Sequence, residues 1–200
     1  RWLIAPAAGG RATRRQYRDH TLVLETEFET PEGAVRIIDF MPIRDKTVDM
    51  IRIVEGLRGH VPMRMHLTIR FDYGHIVPWV RRIDHSRVAV AGPDALCLRT
   101  PVEIHGEDLT TVSGFTVRSG ERVPFVLTWF PSHAALPEEI DPELAGDLQL
   151  RDVEDGDLAE VTVSRALLNR YKRNLEAYCT SIKEYCTRRG VCVRMSHNGP

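Results

Sequence analysis

The chain has 200 residues, 42% of them hydrophobic and 28% charged, a balance that excludes an intrinsically disordered protein and suits a folded globular one. Its 27 Lys and Arg stand against 28 Asp and Glu, so no global field draws it to nucleic acid or to an anionic membrane. No apolar run reaches the roughly 20 residues of a membrane-spanning helix, and Arg1 to Pro6 lacks the long apolar segment of a secretory signal. The sequence therefore reads as cytoplasmic. It begins without Met and is expected to be a piece of something longer.

From Thr21 to about Phe130 the apolar period is two, because successive side chains of a strand point to opposite faces. Leu22, Leu24, Thr26 and Phe28 alternate with Glu25, Glu27 and Glu29. Thr30-Pro31-Glu32-Gly33 then supplies turn chemistry before Val35, Ile37 and Phe40, which predicts a hairpin. After a strand over Ile51 to Val54 comes the clearest run: Val61, Met63, Met65, Leu67, Ile69 and Phe71 alternate with Pro62, Arg64, His66, Thr68 and Arg70. Further strands are expected over Val88 to Val90, Leu96 to Ile104, Phe115 to Val117 and Phe125 to Phe130. Many short strands without an intervening helical pattern predict a mainly β chain, with antiparallel sheets packed face to face as a sandwich.

Leu136-Pro137-Glu138-Glu139-Ile140-Asp141-Pro142-Glu143 is a Pro- and acid-rich connector, and a domain boundary is placed there, with one unit over 1–143 and another over 144–200. Leu148 to Val153 and Glu160 to Val163 flank the turn signal Glu154-Asp155-Gly156-Asp157 and predict a strand pair. A long amphipathic helix follows, with Ser164 as N-cap, a stripe of Leu168, Tyr171, Leu175, Tyr178, Ile182 and Tyr185, and an Arg188-Arg189-Gly190 end. Val191 to Met195 could form one more strand. The second unit is thus a small α/β appendage.

Five blocks in order carry a resemblance: Arg1 to Pro6, Leu22 to Arg44, Arg70 to Arg82, Ala91 to Val102 and Phe115 to His133. Together the segment 1–143 resembles the amino-terminal, trehalase-like β-domain of bacterial glycoside hydrolase family 15. That resemblance implies a large β-sandwich supporting an all-helical toroid, which holds the two catalytic carboxylates that cleave a glucosidic bond. The toroid and the segment that opens family members are missing, so the chain is expected to be a non-catalytic part of a glucoamylase- or trehalase-like hydrolase. The implied partner is the helical catalytic domain, with a carbohydrate contact as a further possibility. The segment from about Gly146 to Met195 instead resembles the carboxy-terminal part of the family called domain of unknown function 58, which implies a von Willebrand A-like fold and a protein-interaction role for the tail. A third reading is a fusion of two gene remnants without selected function.

Glycosidases hold two carboxyl groups about 5 to 9.5 Å apart. Asp39, Asp72 and Asp94 are the acids to inspect, each beside apolar or aromatic residues, against the alternative that they cap turns or pair with Arg. No catalytic residue is assigned. Phe71, Asp72, Tyr73, Trp79, Arg81 and Arg82 combine aromatic planes, an acid and guanidinium groups on a loop between strands. Such a loop suits docking of another domain, contact with sugar, or plain core packing. The His residues lack metal-ligand spacing, so neither metal nor cofactor is implied. Cys179, Cys186 and Cys192 crowd the tail and read as buried small hydrophobes rather than a thiol cluster, while Cys97 sits alone. Arg11, Arg14, Arg15 and Arg18 form a basic run read, with the cations of the helix, as solvated. Oligomeric state is not legible.

Overall fold

The computed structural model describes residues 1–18, 21–42, 47–140, 142, 147–151 and 158–162, with Arg173, Ala177, Thr180 and Arg188 besides. Eleven strands occupy the first 131 positions: β1 (Trp2–Pro6), β2 (Ala12–Tyr17), β3 (Leu24–Thr30), β4 (Gly33–Phe40), β5 (Val48–Leu67), β6 (Trp79–Ile83), β7 (Ser86–Ala91), β8 (Asp94–Arg99), β9 (His105–Glu107), β10 (Thr110–Arg118) and β11 (Arg122–Pro131). They form one hydrogen-bonded antiparallel sheet, so the fold is mainly β. A separate antiparallel pair, β12 (Asp147–Arg151) and β13 (Leu158–Thr162), brackets the turn signal that the sequence placed there.

The organising element is β5. Its 20 residues join two expected strands, Ile51 to Val54 and the run from Val61, but it ends at Leu67, so Ile69 and Phe71 of that run fall outside it. On one side β11 and then β10 run antiparallel along it, from Trp129 opposite Val48 to Thr111 opposite Leu67. On its other side β4 flanks the first half and β1 the second. The ribbon therefore carries two wings: β2-β3-β4-β5-β11-β8-β7-β6 along its first half, and β1-β5-β10-β9 along its second.

The ribbon changes partners at Gly56 to Gly59, where the register against β4 shifts between Ala34 and Val35. A β-bulge of this kind bends a strand and increases its twist. Gly59 has φ +64, and a Cβ there would strike the Glu32 carbonyl; at Gly56 it would strike the Arg118 carbonyl. Only glycine admits this backbone approach. The opposite strand breaks at the same level, with Gly120 N–H donating to the Gly56 carbonyl at 2.8 Å and Ser119 N–H to the Gly59 carbonyl at 2.9 Å. Two glycines between the two expected strands are thus a bend in one continuous strand.

Both wings contribute to one apolar core: Ile4, Met63, Met65 and Val117 from one, Val35, Ile37, Leu98 and Phe125 from the other. The alternation of Val61, Met63, Met65 and Leu67 is buried as the sequence predicts. The β3–β4 hairpin also forms as predicted. Leu22 does not join its expected stripe: it is 87% exposed, while Val23 is buried, because β3 begins only at Leu24. The opposite face of the larger wing buries Ile38, Phe40, Ile51, Ile53 and Val126, with Ile140 of the connector packed against them. The connector carries no regular element over 135–140, as its prolines predict.

The expected helix lies almost wholly outside the described residues; Arg173, Ala177, Thr180 and Arg188 are described, each helical and exposed. Its apolar stripe, the strand over Val191 to Met195 and Cys179, Cys186 and Cys192 are outside them too. Among the described residues, no helix is long and apolar enough to cross a membrane.

Candidate functional site

The segment joining β5 to β6 folds into a narrow loop. Phe71 and Ile76 exchange backbone hydrogen bonds at 2.9 and 3.1 Å, and a single 3-10 turn at Asp72–Gly74 closes the tip. Asp72 (φ 46) and Tyr73 (φ 52) are both left-handed, a conformation that costs an L residue and fits only a tight turn. Tyr73 is fully exposed as a result.

The chain then enters β6, the edge strand next to β7. Trp79 lies opposite Val90 and Arg81 opposite Val88, so these two share a face, whereas Val80 and Arg82 take the other. Trp79 is 79% exposed. Arg82 Nε donates to the Asp84 carbonyl at 2.9 Å, which ties it to its own turn. Of the six residues singled out in the sequence, Phe71, Asp72 and Tyr73 therefore share one turn. Trp79 and Arg81 share one face of an edge strand, and Arg82 is turned away from them.

Around this edge the apolar surface is unusually bare. Tyr73, Ile76, Val77, Trp79, Val80 and Leu109 are all exposed. Val77, Pro78 and Val80 line a groove of about 320 Å³ together with Leu67, Ile69 and Leu109, the last held in the left-handed turn between β9 and β10. Exposed large apolar groups that adjoin a groove mark an interaction surface more often than scattered single ones do.

The acids have different roles. Asp39 takes a bidentate grip from Arg52, Nε at 2.7 Å and Nη2 at 3.0 Å, while Arg52 Nη1 donates to the Trp2 carbonyl and the guanidinium lies 5.2 Å from the Trp2 ring centroid. Asp94 Oδ1 accepts Trp129 Nε1 at 2.9 Å. Asp72 belongs to the exposed turn. The three stand on different elements and are not brought together as a pair.

Two buried acids were not singled out in the sequence. Asp49 accepts Thr128 Oγ1 at 2.6 Å and Thr47 Oγ1 at 2.9 Å. Glu25 pairs with Arg18 at 2.7 Å and lies 3.9 Å from Arg36, whose guanidinium also meets Glu27 and Glu55. Desolvation pulls the Arg36 pKa down, but the Glu27 hydrogen bond and the charges of Glu25, Glu27 and Glu55 outweigh it and raise the value. The register places these groups together across three strands, and no spacing in the sequence signals that. The basic run is β2 with its flanks: the strand itself is an exposed edge, and Arg18 is engaged by Glu25.

Cys97 is a free, buried thiol. Burial pushes its pKa up, against smaller downward pulls from the Arg99 charge and the Ser86 hydrogen bond. Among the described residues no three His, Cys, Asp or Glu side chains are grouped to hold a metal ion. A larger groove, of about 760 Å³, opens where β7 and β8 meet the connector and is lined by Arg87, Arg99 and Thr100, none of them marked by a sequence motif. Compared with known proteins, the chain matches no family model and no curated protein.

Proposed function

We propose that this chain is a non-catalytic β-module, the counterpart of the trehalase-like β-domain of family 15 glycoside hydrolases, that docks on a helical hydrolase domain through the β6 edge. The observation that supports this most is the exposure of Tyr73, Ile76 and Trp79 on the loop and edge strand, together with a groove lined by the exposed Val77, Val80 and Leu109. A partner surface would bury these groups, with Arg81 at the rim, as aromatic and guanidinium groups commonly do at interfaces. The reading takes the two wings and their shared core as the sandwich of such a domain, and residues 1–143 as its extent. It needs no acid pair within the chain, and it agrees with the structural engagement of Asp39 and Asp94.

The test is to mix the chain with a separately produced helical domain of a family 15 hydrolase. The chain alone is expected to release no glucose from trehalose or maltooligosaccharides, and to bind the helical domain with an affinity that Trp79→Ala lowers at least tenfold. Glucose release by the chain alone at enzymatic rates, or no association at all, overturns the reading. Sugar contact is the second reading, favoured by one observation: Trp79 and Arg81 share an exposed face, which can stack on and grip a pyranose.

A further inference from the structure

Four buried side-chain polar atoms among the described residues have no hydrogen-bond partner: Trp2 Nε1, Arg87 Nε, Arg99 Nη1 and Thr100 Oγ1. Three of the four belong to residues that line the 760 Å³ groove at the ends of β7 and β8. Folded proteins leave few such groups unsatisfied, so their concentration in one place requires a cause. Arg87 and Arg99 each donate one N–H to a backbone carbonyl, that of Ile104 and that of Pro137, and neither forms an ion pair with a carboxylate among the described residues.

We infer that the groove binds the oxyanion group of a small organic molecule, a phosphate ester or a carboxylate, through the guanidinium groups of Arg87 and Arg99 with the Thr100 hydroxyl. Water satisfies a hydrogen bond but does not neutralise a half-buried cation, whereas an oxyanion does both and matches the guanidinium fork. The volume exceeds the need of a bare ion and falls in the range of small-molecule sites. Apolar walls from Val126 and Ile140 suit the uncharged part of such a ligand. Other ionisable groups on the lining are Arg82, His85, Asp84, Glu103 and Glu139; Glu139 has an interaction of its own. The groove borders β6 through Arg82, on the face turned away from Trp79 and Arg81, but Arg87, Arg99 and Thr100 lie outside that strand, and either proposal stands if the other fails.

The experiment is a titration of the nitrogen-labelled full chain with glucose 6-phosphate, glucuronate and neutral glucose, at constant ionic strength in chloride. Saturable shifts of two arginine Nε–Hε resonances with at least one of the two anions, at least tenfold tighter than any effect of glucose, are expected. The stronger anion identifies the ligand as phosphate or carboxylate. Arg99→Gln and Arg87→Lys should each weaken that binding at least tenfold. Absence of saturable shifts with both anions, equal response to glucose, or unchanged affinity in both folded variants overturns the proposal. Should a variant fail to fold, the wild-type titration alone decides.

Discussion

The centre of the larger wing and its β6 edge contain the same residue types under opposite conditions. In the centre, Arg52 grips Asp39 and lies against Trp2, and Phe125 is sealed against Phe115 at 5.3 Å between ring centroids. At the edge, Tyr73, Trp79 and Arg81 project into solvent. An arginine or aromatic ring held by internal partners explains itself by stability. The same groups held outward by a strained turn and an edge strand are exposed among the described residues, the condition in which apolar groups suit an interaction surface.

The largest effect should come from the sealed region. Phe125→Ala removes a ring with no exposed surface and leaves a cavity between the wings, so a loss of about 3 to 5 kcal/mol is expected in urea denaturation. A loss below about 1 kcal/mol would mean that the wings do not share one packed core.

Next comes the contrast between two arginines. Arg52→Ala leaves the largely buried Asp39 carboxylate without its cation and should cost about 3 kcal/mol. Arg81→Ala should leave the denaturation midpoint unchanged, since its side chain is solvated. Equal effects would erase the distinction between centre and edge.

A smaller effect is expected from pH. The folded state holds the Cys97 thiol pKa above its ordinary value, so the unfolded chain loses that proton first. The stability contributed by the buried neutral thiol is complete below the unfolded pKa, about 8.5, and declines as pH rises from there through the raised folded value. Urea midpoints across that window should fall less steeply for Cys97→Ala than for the parent chain.

Trp79→Ala, like Arg81→Ala, should change stability little, within about 0.5 kcal/mol by the same measurement. This variant sharpens the comparison most, because it should lower association with a helical hydrolase domain while leaving the fold intact.

Short-range periodicity determined much of the β architecture. Val61 to Leu67 alternate in the sequence and are buried in alternation, and Thr30 to Gly33 turn where their residue types require, because both depend on chain neighbours alone. The strands β1, β2, β6 and β9 escaped this logic: edge strands with mixed or exposed faces do not alternate cleanly. Of the candidate loop, the composition was legible. That Trp79 and Arg81 share a face while Arg82 turns away follows from the strand they occupy.

Tertiary structure alone decided the rest. Gly56 and Gly59 separate the two expected strands in the sequence, yet form a bend in one strand, where the close approach of the Glu32 and Arg118 carbonyls admits only glycine. The same holds for Asp39, whose role is fixed by Arg52 across the register, and for the groove that gathers Arg87, Arg99 and Thr100. Periodicity is a property of neighbours along the chain, whereas the fate of a charge or a thiol depends on what distant segments bring within a few ångströms of it.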